Sequence, residues 1–293
     1  MKYQLANKMI QVTVDEHGAE LTSVKGVNSH FEYLWQADPK VWGKHSPVLF
    51  PIVGALRDDQ YQYAGKTYHL GQHGFAHNEE FTLAEKTDTK IVLSLKSNDR
   101  LKEMYPFDFE LLVSYELLNN MIQVEYQVKN LDDKEMIFGI GGHPGFNLPV
   151  EDGHKKTDYY LAFTPAKERV KFPIKDRMID WAHRSIGATN TLIGLTDDLF
   201  KDDALIYELS GENKVTLRRD DGEFHINLWT EGAKFIGIWS QYPATADYVC
   251  LEPWWGIADR NDGNGNFEDK YGMNHLASGE TFKASFKVSF NHE

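Results

Sequence analysis

The sequence predicts an all-β protein in which large antiparallel sheets pack face to face and helices are few and short. Apolar and polar residues alternate with a period of two in many short segments, as expected for strands with one buried face. Turn residues separate these segments, and few windows have helical spacing. Strands that do not alternate with helices favour a sandwich or a barrel over an α/β sheet.

The clearest alternation lies between residues 109 and 128. Apolar side chains occupy every second position from 111 to 117 and again from 122 to 128. Asn119 and Asn120 stand between the two runs, and asparagine is common in tight turns. We therefore expect two adjacent strands of an antiparallel meander.

Shorter patterns of the same kind predict further strands. Residues 9–14 and 21–24 are expected to form a hairpin, because turn residues separate them. Other strands are expected over 90–96, 204–209, 214–218, 225–229, 235–240 and 281–290. A turn of helix is expected at 101–105, where Pro106 limits its length.

Length and composition favour one large domain. The chain has 293 residues and a mass of 33.7 kDa, and 41% of its residues are hydrophobic, which is enough to bury a large core. No linker rich in Pro, Gly or Ser, no block of charge and no internal repeat divides it. We expect a single domain over 1–293.

Composition also limits location and partners. No apolar run approaches the roughly 18 residues that span a bilayer, and the start lacks the pattern of a cleaved leader. Cys250 is the only cysteine, so no internal disulfide can form. We expect a cytoplasmic protein without a membrane partner. The net charge of −13, with no basic stripe, disfavours nucleic acid, although a local pocket could still hold an anionic sugar phosphate.

Three motifs carry the candidate chemistry. They are His73-Gly74-Phe75-Ala76, His143-Pro144-Gly145-Phe146 and Glu252-Pro253-Trp254-Trp255-Gly256. Each sets a titratable side chain against Gly or Pro with aromatic residues nearby. Such segments are typical of loop tips, where a rigid scaffold often carries functional groups, so we interpret the three as one site.

In this order the motifs resemble those of the aldose 1-epimerase (galactose mutarotase-like) family, in the branch of LacX-like proteins associated with lactose operons. The resemblance runs along nearly the whole chain and implies a β-supersandwich fold. It also implies an isomerase that interconverts the α and β anomers of a hexose by acid–base ring opening and closure. No cofactor and no metal are implied, and the expected partner is a small sugar.

The resemblance assigns roles to the motif residues. Glu252 is expected to be the base and His143 the acid, and His73 is expected to hold the ring-oxygen side. Independently, a carboxylate walled by indoles is partly desolvated, which raises its pKa toward that of a useful base. The flat face of Trp254 suits the C–H face of a pyranose.

The resemblance also implies a substrate-binding arginine and aspartate, and Arg57 and Asp203 are the residues expected to fix the sugar hydroxyls. Arg57 follows an apolar stretch that we interpret as a strand, and an ion pair with Asp58 or Asp59 is the alternative for its side chain. Asp203 fits best because it precedes a predicted strand, although neighbouring acids leave that choice open. Cys250 is expected to point away from the substrate.

Two further patterns suggest metal sites, but the evidence for each is weak. His69, His73 and His77 recur every four residues, but glycines interrupt the segment, so a helical zinc site is not favoured and the first and last are expected to be structural. Residues 259–269 resemble a calcium loop. With Asp262 placed at position one, however, Phe267 occupies the position that requires Gly and Met273 the position of the terminal Glu. We expect a polar loop near the mouth of the site.

Other functions remain open. A hexose 6-phosphate could replace the neutral hexose, but no cluster of Arg and Lys stands out near the motifs, which favours a neutral sugar. A non-catalytic carbohydrate-binding or sensing protein on the same fold would not need a matched acid and base. A glycoside hydrolase would need two carboxylates, and only Glu252 has a convincing setting. The sequence does not indicate an oligomeric state.

Overall fold

The computed structural model describes residues 1–150, 153–243 and 245–292. The strands, in chain order, are β1 (Lys2–Ala6), β2 (Ile10–Asp15), β3 (Leu21–Gly26), β4 (Val48–Leu49), β5 (Gln60–Tyr63), β6 (Lys66–His69), β7 (Thr82–Lys86), β8 (Lys90–Lys96), β9 (Phe109–Leu118), β10 (Met121–Asn130), β11 (Met136–Phe138), β12 (Ile140–Gly142), β13 (Gly145–Asn147), β14 (Tyr159–Thr164), β15 (Arg169–Phe172), β16 (Ile174–Lys175), β17 (Met178–Ile179), β18 (Ser185–Gly187), β19 (Ile193–Gly194), β20 (Leu205–Glu208), β21 (Lys214–Arg219), β22 (Phe224–Trp229), β23 (Phe235–Trp239), β24 (Tyr248–Trp255), β25 (Asn274–Leu276) and β26 (Thr281–His292).

Helical structure within the described residues is short. One α-helix, α1 (Asp99–Met104), begins at Asn98, whose side chain accepts a hydrogen bond from the amide of Leu101. Single 3-10 turns lie at Arg57–Asp59, Ala76–Asn78, Lys156–Asp158, Trp181–His183 and Phe267–Asp269. No helix of the described ranges has the length and apolar character needed to cross a bilayer.

Two large antiparallel sheets dominate the fold. One has nine strands in the order β19-β14-β21-β22-β26-β10-β9-β8-β7. The other has eight, in the order β18-β15-β20-β23-β24-β12-β4, with β13 also paired to β24. Side chains from both sheets share one buried cluster, for example Val113 of β9 and Leu251 of β24. The prediction of an all-β fold with large antiparallel sheets is confirmed.

The predicted meander is present as β9 and β10. These strands pair from Phe109 with Asn130 to Leu118 with Met121. Buried and partly exposed side chains alternate along both strands, as the sequence pattern requires. Asn119, in the turn, has a φ of 58°, a left-handed conformation that asparagine tolerates well.

The strand expected before Arg57 is much shorter than predicted. Only β4 is paired, and the buried stretch that follows it leaves the sheet. Pro51 has no N–H to donate to a ladder, and Gly54 has a φ of 74°. A Cβ at Gly54 would collide with Ala258, so this close approach requires glycine.

Glu252 does not lie at a loop tip, and that expectation was wrong. It lies inside β24, which is buried along its whole length. Pro253 is tolerated because β13 pairs with β24 only up to Cys250, and β12 pairs with it only from Trp254 onward. Pro253 therefore faces the break between these two partners, where no ladder bond from its nitrogen is needed.

Candidate active site

A cleft of about 760 Å³ opens on the face of the eight-stranded sheet opposite the main core. Its floor is formed by side chains of β4, β20, β23 and β24. Its walls come from residues in the segments 42–47, 72–77, 174–177 and 200–204. A cavity of this size accommodates a small organic ligand.

The period of β24 divides its side chains between the core and the cleft. Val249 and Leu251 belong to the main buried cluster between the sheets. Glu252 and Trp254 line the cleft on the other face. Because side chains alternate across a strand, one apolar segment supplies both core packing and site chemistry.

His143 meets Glu252 where the sheet is interrupted. His143 and Pro144 connect β12 to β13 and lie opposite the break beside Pro253. The Nε2 atom of His143 is 3.1 Å from Oε2 of Glu252. Both residues are buried, with exposed fractions of 8% and 1%. The structure thus brings together two groups that the sequence assigned to one site.

Aromatic rings fix the orientation of the His143 imidazole. The ring stacks on Trp42 with centroids 4.8 Å apart and meets the edge of Trp239 at 5.8 Å. Its Nδ1 atom and Oε2 of Glu252 are buried and have no aligned hydrogen-bond partner among the described residues. A ligand reaches these two atoms only if the surrounding side chains move, because both atoms are shielded from solvent.

Burial shifts both groups of the pair away from charge. It raises the pKa of the Glu252 carboxyl well above its usual range, and the negative charge of Asp203 raises it further. Burial also lowers the pKa of His143 well below its usual range, with a smaller contribution from His73. The pair therefore favours the state that holds one proton and has no net charge.

His73 is oriented by a backbone bond. The amide of Gly54 donates to its Nδ1 atom at 3.1 Å, so the neutral imidazole carries its proton on Nε2. Burial lowers the pKa of His73 to about 3, which keeps the ring neutral near pH 7. The ring lies edge-on to His143, with centroids 5.6 Å apart. His73 is thus a fixed neutral donor beside the pair.

Two glycines make room for Trp254 on the floor. A Cβ at Gly141 of β12 would come within 2.6 Å of its Cδ1 atom, and a Cβ at Gly237 of β23 would overlap its six-membered ring. The indole therefore lies flat against the neighbouring strands. Trp254 is buried in the second hydrophobic cluster and also lines the cleft.

Asp203, the aspartate expected to bind the substrate, lies at the rim of the cleft. It is exposed and has a φ of 81°, and its Oδ1 accepts a hydrogen bond from the amide of Ala204 at 2.7 Å. Asp202 also lines the cleft, whereas Asp197 and Asp198 do not. Of the neighbouring acids that the sequence left open as the substrate-binding residue, only Asp202 and Asp203 therefore have a suitable position.

Arg57 is not brought into the cleft. Its backbone amide donates to Asp259 at 3.1 Å, and its guanidinium donates to the carbonyl of Asn261. The alternative, an ion pair with Asp58 or Asp59, is also not seen among the described residues, because Asp59 pairs with Arg177 instead. Arg57 has a structural contact in place of the expected sugar contact.

Arg177 is the guanidinium that lines the cleft, and sequence reasoning missed it. It lies in the two-residue turn between β16 and β17, together with Asp176. No Gly or Asn marks this turn, so the usual hairpin signal was absent. Trp42 and Trp239 were also missed, since isolated tryptophans more often belong to a core.

His77 lines the cleft, a position that the sequence did not predict for it. The 3-10 turn Ala76–Asn78 follows the His73 loop and keeps His77 on the same wall. Burial lowers its pKa to about 4, and the nearby Lys44 lowers it further. His69, at the end of β6, is exposed and does not line the cleft.

Cys250 lies beside the pair but does not line the cleft. It shares a face of β24 with Glu252 because the two are two residues apart. One ligand atom each from Cys250, Glu252 and His143 lie within 4.8 Å of one another, a donor set that suits zinc. Burial raises the pKa of the Cys250 thiol well above its usual range, which opposes the thiolate that zinc prefers.

The loop at 259–269 supports the scaffold and does not line the cleft. Asp259 pairs with the buried Lys270 at 2.9 Å and also holds the amide of Arg57. Arg260 pairs with Asp262 at 2.7 Å. These acids have protein partners, which fits the sequence argument against a calcium site.

Comparisons with known proteins identify the family. Residues 1–284 match the family model "Aldose 1-epimerase". The chromosomal protein LacX of Lactococcus lactis subsp. lactis is 32% identical over 299 residues, which cover 99% of both chains. The chain therefore belongs to the aldose 1-epimerase family, which supports an isomerase acting on a sugar.

Solved structures agree along the whole chain. The galactose mutarotase related enzyme from Lactobacillus acidophilus is 54% identical, with a TM-score of 0.98 over 99% of this chain and 97% of that one. A galactose mutarotase-like protein from Lactobacillus casei ATCC 334 is 28% identical, with a TM-score of 0.92 over 99% and 100%. The expected resemblance to the LacX-like branch and to the mutarotase fold is confirmed.

Proposed function

We propose that this protein is an aldose 1-epimerase that interconverts the α and β anomers of a neutral hexose. The observation that carries the proposal is the buried pair of His143 and Glu252, whose nearest side-chain atoms are 3.1 Å apart at the floor of a sugar-sized cleft. Family membership supports the reaction class.

Anomer exchange needs two proton transfers, one at each of the two oxygens bonded to C1. The ring opens when the C1 hydroxyl loses a proton and the ring oxygen gains one, and it closes again on the other face of the carbonyl. Both oxygens are bonded to C1, so a base and an acid a few ångströms apart can serve them together. Acid–base help of this kind contributes about 10²–10⁴-fold.

In the proposed mechanism Glu252 is the base and His143 the acid. The empty pair favours its uncharged form, in which the carboxyl holds the proton. A C1 hydroxyl that donates to the Glu252 carboxylate stabilises it, and a ring oxygen that accepts from His143 stabilises the imidazolium. Substrate binding thus prepares the proton arrangement that ring opening uses, and ring closure reverses the roles.

His73 supports the ring oxygen in this arrangement. Its Nε2–H is a donor that does not titrate near neutral pH, since Gly54 occupies Nδ1 and burial lowers the pKa of the ring to about 3. A neutral donor polarises the ring oxygen without competing for the proton. Trp254 offers an apolar face for the C–H side of the sugar, and Asp203 offers an acceptor at the rim.

Charge in the cleft favours a neutral substrate. With the Glu252 carboxyl protonated, the charged side chains among the described lining residues balance, with Asp176, Asp202 and Asp203 against Lys44, Arg177 and Lys201. A hexose 6-phosphate is the alternative substrate, and this lining offers it no excess of positive charge.

Saturation-transfer NMR of anomer exchange tests the proposal. The wild-type protein should accelerate exchange of glucose or galactose above the spontaneous rate, and should accelerate their 6-phosphates less. Sugar binding without acceleration would indicate a binding protein. Release of sugar from a methyl glycoside would indicate a hydrolase, and either result would contradict the proposal.

A further inference from the structure

The tip of the β16–β17 hairpin presents two charged side chains to the cleft. Ile174 pairs with Ile179 and Lys175 with Met178, which leaves Asp176 and Arg177 as a two-residue turn. Both turn residues have positive φ, 51° and 68°, and both line the cleft. Gly or Asn would occupy this turn at lower cost, so its sequence is not explained by turn formation.

The base of the hairpin is rigid. Ile179 is buried in the second hydrophobic cluster, and its amide donates to the carbonyl of Asp259 at 2.8 Å. The amide of Asp180 donates to the carbonyl of Pro173 at 2.8 Å. The tip is therefore held at the cleft rim while its side chains can change partners.

Arg177 links the hairpin to the loop that carries His73. Its two terminal nitrogens donate to Asp59 at 2.9 and 3.3 Å, and its Nε donates to Oε1 of Gln72 at 3.4 Å. Nε2 of Gln72 is in turn 3.4 Å from Nε2 of His73. The side chain of Gln72 thus lies between Arg177 and His73, the residue assigned to the ring oxygen.

The partner of Arg177 can be exchanged at little cost. Arg177 and Asp59 are each about half exposed, and ion pairs in such positions are weak. Asp59 does not line the cleft, whereas Arg177 does. A guanidinium held loosely at the rim can turn from the carboxylate to a ligand, since it offers a fork of donors to paired hydroxyls.

We propose that Arg177 is a specificity-determining residue for the sugar, with Asp176 as its acceptor partner. Resting on the proposed function, this assigns Arg177 to the hydroxyls away from C1, because His73 and His143 occupy the C1 end. The paired donor and acceptor match vicinal hydroxyls of a neutral sugar. Asp176 and Asp59 would repel a phosphate at the same place.

The test compares Arg177→Ala with Asp59→Asn, since the second variant breaks the same ion pair but keeps the guanidinium. Arg177→Ala should raise KM for anomer exchange about tenfold and change kcat less than about threefold. The reason is that the lost contact to the sugar would be equally strong in the bound substrate and in the transition state. Arg177→Lys should recover part of the loss. Asp59→Asn should leave KM unchanged or lower it, because the guanidinium is released for the sugar.

The outcomes separate binding from structure. If Arg177→Ala leaves KM unchanged, or if Asp59→Asn raises KM as much as Arg177→Ala, the side chain serves only its ion pair and the inference is wrong. A lower KM for glucose 6-phosphate than for glucose in the wild type would also overturn it. Should the wild type not catalyse exchange, the proposed function fails, and titration of glucose into the same variants by NMR then tests the Arg177 contact alone.

Discussion

The imidazole of His143 lies 3.1 Å from the carboxyl of Glu252 where one edge of β24 has a break in its pairing, beside Pro253. Pro253 faces the break between β12 and β13, and the residues that bridge this break are His143 and Pro144. The acid and the base are thus set against each other by backbone pairing on both sides. Side-chain flexibility has little part in their alignment, which suits a reaction that depends on positioning.

The pair predicts the acid side of the pH–rate profile. Activity requires one proton on the pair, and a second proton must bind to stop it. Because burial lowers the pKa of His143, that proton should bind only below the ordinary histidine value of about 6.5. After subtraction of the spontaneous rate, kcat/KM should therefore be flat from about pH 7.5 to 6.5 and fall below it. A half-maximal point at or above pH 6.5 would contradict this.

The floor under Trp254 predicts a sensitive glycine. Gly237→Ala should displace the indole, destabilise the protein by about 1–3 kcal/mol through overpacking, and raise KM for the sugar. Gly194→Ala is the matched control, because Gly194 also lies in a strand but a Cβ there meets nothing within 4 Å. Urea unfolding and anomer-exchange kinetics measure both effects. Equal stability of the two variants would show that the indole is not seated as described.

The histidines of the cleft wall predict how stability depends on pH. Burial lowers the pKa of His73 to about 3 and that of His77 to about 4, while the unfolded chain takes up these protons near 6.5. The unfolded state then binds more protons between about pH 6.5 and 4, so the free energy of unfolding should fall as the pH falls through that range. Above pH 6.5 these residues should have no such effect.

A variant separates this contribution from the carboxylates that also titrate in acid. His77→Gln should reduce the loss of stability between pH 6.5 and 4.5 by about 1–2 kcal/mol. His69→Gln, at an exposed position on β6, is the control and should leave the loss unchanged. Thermal unfolding at several pH values measures both. Identical pH profiles for the two variants would contradict the neutral state of the half-buried His77.

The strands with one buried face could be predicted from the sequence, and several irregular elements could not. β9 and β10 are long, and their alternation survives on both sides of a turn. β4 has only two residues and lies within a longer buried stretch, so a prediction from hydrophobicity alone overestimated the length of this strand. The break beside Pro253 depends on which strands lie next to β24, and that information is not local.

The candidate site was predicted unevenly for similar reasons. Glu252, His143 and His73 stand in motifs with strong local signals, and the structure brings their side chains into one cleft. Arg57 does not lie in the cleft because its guanidinium binds the carbonyl of Asn261, and the residues around Arg57 in the sequence do not indicate this contact with a distant loop. Cys250 lies beside the pair because a period of two puts it on the same face of β24 as Glu252, although it does not line the cleft.

The central claim is that Glu252 and His143 carry the two proton transfers. Anomer exchange of the preferred hexose should be measured by saturation-transfer NMR for the wild type, Glu252→Gln and His143→Asn, with folding checked by thermal unfolding and sugar binding checked by titration. The account predicts that each variant folds and still binds sugar but loses about 10²-fold or more of the catalysed rate. A folded Glu252→Gln variant with exchange close to that of the wild type would contradict it.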